Sequence, residues 1–278
     1  MNAIEVKGVY KKLGNFQLKN ITFNVEQGTV MGFIGQNGAG KSTTIKCLLN
    51  MLKITTGEIL LFGQKHNKTE LKQHIGVVFD ELHVPDSLTG EELCNFYEDV
   101  YTNWDRSYFF KLLETLDVSR LTKVSKLSRG MKMKLGLALA LAHRPKLLIL
   151  DEPTSGLDPV VRDEVLDLLL DYMESPEHSI LFSSHITSDL EKIADSLTFI
   201  QKGEVLFSDN KDVLLHDYAL WKGTKEQVKD IPTDAIIGKR RAAFGLEMLV
   251  TRSKVSSIFE LERPSIEDLM VFFVKGEK

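Results

Sequence analysis

Apolar positions change period several times along the chain, and those changes divide it. Residues 4–6, 18–25 and 30–34 carry alternating or continuous apolar stretches, punctuated by Gly14 and by Gln27-Gly28, and predict strands. From Lys41 the apolar residues Ile45, Leu48, Leu49 and Leu52 recur at helical spacing, so a strand, a glycine-rich turn and a helix follow one another directly. A strand or hairpin segment over 57–62 and a strand over 75–79 come next. In residues 84–125 aromatic, leucine and charged positions alternate with helical periodicity and predict a helical insertion. A helix after Ser128, a strand over 147–150, a helix from 159 to about 173 and a strand over 179–183 restore α/β alternation and place the end of the main domain near residue 216. Beyond it, strand-like pieces at 235–237, 247–250 and 257–261 lead to a terminal helix over 265–274. The chain shows no internal repeat and no low-complexity tract.

The turn before the first helix reads Gly35-Gln36-Asn37-Gly38-Ala39-Gly40-Lys41-Ser42-Thr43, a complete phosphate loop in the strand–loop–helix context that such a loop requires. Glycines let backbone N–H groups wrap a β-phosphate, Lys41 neutralises β- and γ-oxygens, and the Ser42 hydroxyl is placed to ligate Mg²⁺. Residues 147–150 are continuously apolar, as expected of a strand buried on both faces, and end in Asp151-Glu152. Alternation along the strand would point the two carboxylates apart, Asp151 to the Mg²⁺ shell and Glu152 to an attacking water. His185 follows the next strand, at the edge where such sheets present their ligand sites, and is expected to contact the γ-phosphate. The other histidines are read as structural. Leu127-Ser128-Arg129-Gly130-Met131 opens an amphipathic helix with a hydroxyl and free N–H groups, a second start suited to an anion.

Composition narrows the setting. The 278 residues are 43% hydrophobic and 27% charged with a formal net charge of -4, which is ordinary for a globular protein and does not recommend nucleic acid as a partner. The longest apolar run, 135–142, is cut by His143-Arg144-Pro145-Lys146, too short for a membrane span. The N-terminal residues lack the basic and apolar regions of a signal peptide, so a cytosolic chain is expected. Cys47 and Cys94 lack the number and spacing of a disulfide framework or metal site and are read as small core residues.

In order and spacing these motifs resemble the nucleotide-binding subunit of ATP-binding-cassette (ABC) transporters over residues 1 to about 216. The resemblance implies an α/β P-loop NTPase of the ABC ATPase type. Its parts would be an N-terminal antiparallel β subdomain, a helical subdomain over about 84–145, and a small α+β appendage at 217–278 after an ATPase domain at 1–216. It implies that Gly35, Asn37, Gly38, Ala39, Gly40, Lys41, Ser42 and Thr43 bind ATP, that Ser42 and Asp151 hold Mg²⁺, that Glu152 is the catalytic carboxylate and that His185 is the switch histidine. Ser155 to Asp158 would be the D-loop. Two such subunits, identical or different, would close head to tail, so that Ser128 and Gly130 of one meet the γ-phosphate held by the other. A multispan membrane subunit would be the partner, at the cytoplasmic side of the membrane. A soluble ABC ATPase of translation, iron-sulfur assembly or DNA repair is the alternative, disfavoured by the single cassette.

Three positions depart from the family pattern. Arg129 and Met131 replace a Gly and a Gln of the signature. Asp80-Glu81 stand where the family has a Gln, leaving Asp80 as a Mg²⁺ ligand or a sensor of the membrane partner. The adenine-stacking aromatic aligns with Leu13, with Phe16 as a neighbouring substitute. Asn67-Lys68-Thr69-Glu70 is similar to a guanine-reading motif but ends in Glu and lies in a polar loop, so ATP is the expected nucleotide. The tail, with Phe244-Gly245-Leu246-Glu247 and the segment from Pro264 to Met270, is similar to tails of bacterial exporter-type cassettes, including those of peptide or antibiotic efflux.

Overall fold

The structure is a computed structural model that describes residues 1–224, 227–242 and 245–276. Strands β1 (Asn2–Leu13) and β2 (Phe16–Glu26) form an antiparallel hairpin with Gly14 at φ +55 in the turn. Leu18, Ile21, Phe23 and Val25 of β2 are buried and alternate with outward positions, the pattern of a sheet covered on one face. Every residue of β3 (Val30–Ile34) is buried, and it delivers the chain into the glycine loop and α1 (Lys41–Leu48). The sequence pattern predicts a helix to residue 52. Instead Asn50 adopts φ +55, and the amides of Met51 and Leu52 both return to the Lys46 carbonyl, so a left-handed Asn closes the helix early. Strands β4 (Thr56–Leu61) and β5 (Gln64–Lys65) complete an antiparallel sheet in the order β2-β1-β4-β5.

After β6 (Ile75–Val78) the helical insertion contains α2 (Gly90–Val100) and α3 (Arg106–Thr115). Thr89 and Glu92 form a capping box at α2 and Asp105 caps α3, so each start is fixed by a local side chain. Helix α4 (Arg129–Leu141) is capped by Ser128, whose Oγ accepts from the Met131 amide at 3.2 Å. The chain then runs through β7 (Leu147–Asp151), α5 (Pro159–Tyr172), β8 (Ser179–Ser184), α6 (Thr187–Ile193), β9 (Ser196–Gln201) and β10 (Glu204–Asn210). The β9–β10 hairpin, which the periodicity reading passes over, is turned by Lys202-Gly203, both at positive φ in a two-residue loop.

The central sheet has the order β10-β9-β3-β8-β7-β6, parallel except for β10. Register decides where the chemistry collects. Ile34 of β3 lies beside Ser184 of β8, and Asp151 of β7 beside Ser183. The glycine loop, the Asp-Glu pair and His185 therefore leave three neighbouring strands at the same carboxyl edge, where open parallel sheets bind ligands.

Helix α7 (Lys211–Asp217) leads to a third, antiparallel sheet of β11 (Tyr218–Gly223), β12 (Ile236–Ala242), β13 (Gly245–Thr251) and β14 (Leu261–Glu262), in the order β12-β13-β11-β14. The strand predicted over 257–261 is a turn: Ile258 is 82% exposed, Phe259 N donates to the Ser256 carbonyl, and only Leu261 and Glu262 pair with β11. Phe259 and Leu261 pack on the core of this third sheet, but the turn from Ser256 to Phe259 keeps the stretch before Leu261 from pairing with a neighbouring strand. Helix α8 (Ile266–Lys275) covers β12 and β13 and touches α6, with Phe273 5.1 Å from Phe207 between ring centroids. Phe244 lies outside the described residues. The architecture is the α/β fold expected, with its antiparallel N-terminal sheet, helical insertion and α+β appendage.

Candidate active site

The glycine loop is shaped by backbone that other residues would resist. Gly38 and Gly40 have φ of +79 and +120, and a Cβ on Gly40 would meet Leu18, Phe16 and Ile200 side chains at 2.8–3.1 Å. A Cβ on Gly35 would stand 2.5 Å from the Ile200 carbonyl. The loop thus wraps tightly at the start of α1, with its N–H groups and the helix dipole turned towards a shared cleft. That cleft has a volume of about 650 Å³ and is lined by Asn37, Gly38, Gly40, Lys41, Ser42 and Thr43, by Glu152, Ser155 and His185 from the β7 and β8 ends, and by Asp80. Leu13 and Phe16 border it from the β1–β2 turn, whereas Tyr10 does not.

Glu152 sits at the centre. Its Oε2 lies 2.7 Å from His185 Nδ1, and its Oε1 is 3.1 Å from Lys41 Nζ, a charge contact without the alignment of a hydrogen bond. Lys41 Nζ donates to the Gly35 carbonyl at 2.6 Å and is almost wholly buried. With the carboxylate as acceptor, His185 Nδ1 is the donor in this contact, which fixes the ring and turns Nε2 away from Glu152. The orientation of Glu152 is not the strand alternation read from the sequence. Strand β7 ends at Asp151, and Glu152 turns at φ +55, a left-handed conformation that swings its side chain over the glycine loop. Asp151 stays in the sheet, 3% exposed, and accepts from Ser183 Oγ at 2.8 Å.

Among the described residues no group of three or more His, Cys, Asp or Glu could hold a metal by itself. The oxygen donors present, the Ser42 hydroxyl and the Asp151 carboxylate, suit Mg²⁺ ligation completed by phosphate oxygens and water, the usual arrangement for a cation that arrives with a nucleotide. The residues therefore fit a Mg²⁺–nucleotide rather than a resident metal.

Ser128 and Gly130 do not line this cleft of their own chain, while their neighbour Arg129 does. Arg129 and Asp80 also border a second cavity of about 700 Å³ between β6, α2 and α4, so two of the non-family positions stand where the two cavities meet. Sequence reading anticipated a role for Asp80 and none for Arg129 within its own chain. The only available signal was a cation at the first position of α4, where the helix dipole disfavours it.

A protein-family model described as "ABC transporter" matches residues 18–155. The ATP-binding protein YhcH of Bacillus subtilis, an ABC transporter protein, is 31% identical over 93% of this chain and 87% of its own length. The chain belongs to the ATP-binding proteins of ABC transporters. The bacitracin transport ATP-binding protein BcrA of Bacillus licheniformis is 38% identical over 67% of this chain, and the alignment spans 62% of that relative. A solved ATP-binding subunit of an ABC transporter superposes with a TM-score of 0.70 at 26% identity, covering 77% of this chain and 92% of that one. As a member of this family the chain is an ATP-binding and ATP-hydrolysing subunit of a transport system, and the cleft is where its phosphate loop presents Lys41 and Ser42. Among the described residues no helix is long and apolar enough to cross a membrane.

Proposed function

We propose that the chain binds MgATP between the glycine loop and the β7–β8 edge, and that ATP-driven head-to-tail pairing of two such subunits drives a membrane exporter. The observation that carries this is the placement of Glu152 and His185 in hydrogen-bond contact beside Lys41, while Ser128 and Gly130, the other anion-suited start, stand outside their own cleft.

Gly35, Asn37, Gly38, Ala39, Gly40 and Thr43 offer the backbone cradle and Lys41 offsets phosphate charge. Ser42 and Asp151 would hold Mg²⁺, with Asp80 as a further oxygen; when bound, the ion neutralises charge on the phosphates. Lys41 exchanges its contact with Glu152 for phosphate oxygens, and Glu152 is then free to accept a proton from water while His185 keeps it in place. Leu13 and Phe16 offer the apolar contact for the base. Ser128 and Gly130 complete the site of the paired subunit.

The ATPase domain is assigned to residues 1–216, with its helical subdomain at about 84–145, and residues 217–278 to an accessory segment. The cavity beside Asp80 and α2 is read as the place where a multispan partner docks, which puts the chain peripherally at the cytoplasmic face of the membrane. The bacitracin transport name of BcrA favours export of a peptide-like compound. Light scattering of Glu152→Gln with and without MgATP tests the pairing. A shift to a dimer on adding MgATP is expected, and a monomer at saturating MgATP would overturn it. Recovery of a multispan protein with the chain from detergent-solubilised membranes tests the partner.

A further inference from the structure

One buried charge has no part in nucleotide contact. Asp189, in the first turn of α6, is fully buried, yet its carboxylate serves two partners. Oδ2 accepts from Thr154 Oγ1 at 2.5 Å, and Oδ1 accepts from Arg162 Nε. Arg162 Nη2 donates onward to Ser188 Oγ at 2.6 Å. Thr154 is itself 1% exposed and lies two residues past Glu152, at the head of the Ser155 to Asp158 loop. Asp189 lies four residues past His185. Arg162, in the first turns of α5, closes the group.

Asp189 is wholly out of water while Arg162 keeps 27% of its side chain exposed; burying a carboxylate is costly, and apolar residues of similar volume often serve stability as well or better. A directional pair on a buried carboxylate gains in geometry instead: the two fixed acceptor oxygens of Asp189 set the distance between three segments. Here those segments are the loop after Glu152, the start of α5 and the helix after His185. Glu152 needs such support, because it holds a left-handed backbone that a non-glycine residue adopts only where its surroundings impose it.

We infer that Asp189, Thr154 and Arg162 are positioning residues, a buried clasp that holds Glu152 and His185 in contact and makes the Ser155 to Asp158 loop and α6 move as one body. The inference rests on the roles proposed above for Glu152 and His185. It adds that the loop expected to face the paired subunit and the helix behind the switch histidine are mechanically joined inside one chain.

The test compares Thr154→Val, which keeps shape and loses the hydroxyl, with Thr154→Ser, which keeps the hydroxyl, and with Asp189→Asn. Steady-state hydrolysis at 25 °C gives kcat, and equilibrium binding of ATP to the same full-length variants gives Kd. A ten- to hundred-fold fall in kcat is expected for Thr154→Val and Asp189→Asn, with Kd within about twofold of the parent and with Thr154→Ser close to the parent in both. The clasp is overturned if Thr154→Val turns over at the parent rate, or if Kd weakens in step with kcat. Loss of fold in Thr154→Val by circular dichroism at the assay temperature also overturns it, since the group would then hold the fold rather than the site. Glu152→Gln is measured alongside. Full activity in that variant strikes the underlying role of Glu152, whereas an inactive Glu152→Gln with a fully active Thr154→Val strikes the clasp alone.

Discussion

The carboxyl edge of β7 and β8 and the N-terminus of α4 are built in opposite ways. At the first, Asp151, Glu152, His185, Thr154 and Asp189 are each held by another side chain, and three of the five are buried. At the second, among the described residues, Ser128 bonds only to its own helix, and both Ser128 and Arg129 are exposed. One half of the chemistry is wired inside a single chain, and the other is left open. An open helix start beside a closed edge is what the proposed sharing of a site between two subunits would demand, because each chain would finish its own pocket and lend its surface to another.

The largest effect that sharpens this contrast lies on the wired side. Glu152→Gln keeps the shape of the side chain and removes its basicity, so kcat should fall by about 10²–10⁴-fold while ATP binding persists. Turnover at the parent rate would show that the edge is held together for some reason other than proton transfer. On the open side, Ser128→Arg fills the helix start with a cation and should abolish hydrolysis by the pure variant without weakening ATP binding to the single chain. Mixing the two inactive chains then separates the halves. A mixed pair contains one site with an intact Glu152 from one chain and an intact Ser128 from the other, so activity should return to at most roughly a quarter of the parent in an equal mixture. No recovery at all would break the comparison, since Ser128 would then act within its own chain.

A third prediction concerns the far end of α4, where the chain is closed. His143 is 1% exposed, stacked on Tyr101 at 4.0 Å between ring centroids, with Nε2 3.3 Å from the Ile75 carbonyl. Burial holds the imidazole neutral and lowers its pKa to about 4. The unfolded chain, with an ordinary His value near 6.5, binds the extra proton over that interval, so stability is unaffected above about pH 6.5 and falls as pH drops towards 4. The full loss, about 3 kcal/mol, is present below it. Thermal melts from pH 8 to pH 4 should show this slope and His143→Phe should flatten it; an unchanged slope in the variant would assign the acid sensitivity elsewhere.

How much of this was legible in the chain follows from how local each feature is. The glycine loop, the apolar β7 ending in Asp151-Glu152, and the capped start of α4 are contiguous patterns, and the structure places them at strand ends and a helix start as their spacing implies. The clasp was invisible because Thr154, Arg162 and Asp189 are scattered, ordinary residue types, brought together by the parallel register of β7 and β8 and the packing of α5 on α6. Glu152 was assigned its direction by strand alternation, when a left-handed turn supplies it. The β9–β10 hairpin carries a plain Lys-Gly turn signal, but continuous burial in β9 hides the alternation that would have marked it. The strand at 257–261 failed for a different reason: Phe259 and Leu261 do pack on the core, but from a turn and not from a paired strand.

The smallest effect probes a place where the two regions touch. Gly156, in the loop after Glu152, has φ +68, and a Cβ built there would lie 2.9 Å from the Arg129 guanidinium. Two costs would follow from Gly156→Ala: the left-handed backbone, about 1 kcal/mol for an Ala, and the displacement of Arg129. Arg129 is exposed and flexible at its far end, so if the start of α4 is as open as its hydrogen bonding implies, the guanidinium moves aside at almost no cost. Gly156→Ala should then lower the melting temperature by a few degrees, and the same substitution in an Arg129→Ala background should do so by nearly the same amount, with a coupling below about 0.5 kcal/mol. A larger coupling would mean that Arg129 is held over the loop, and that α4 and the catalytic edge are already joined within one chain.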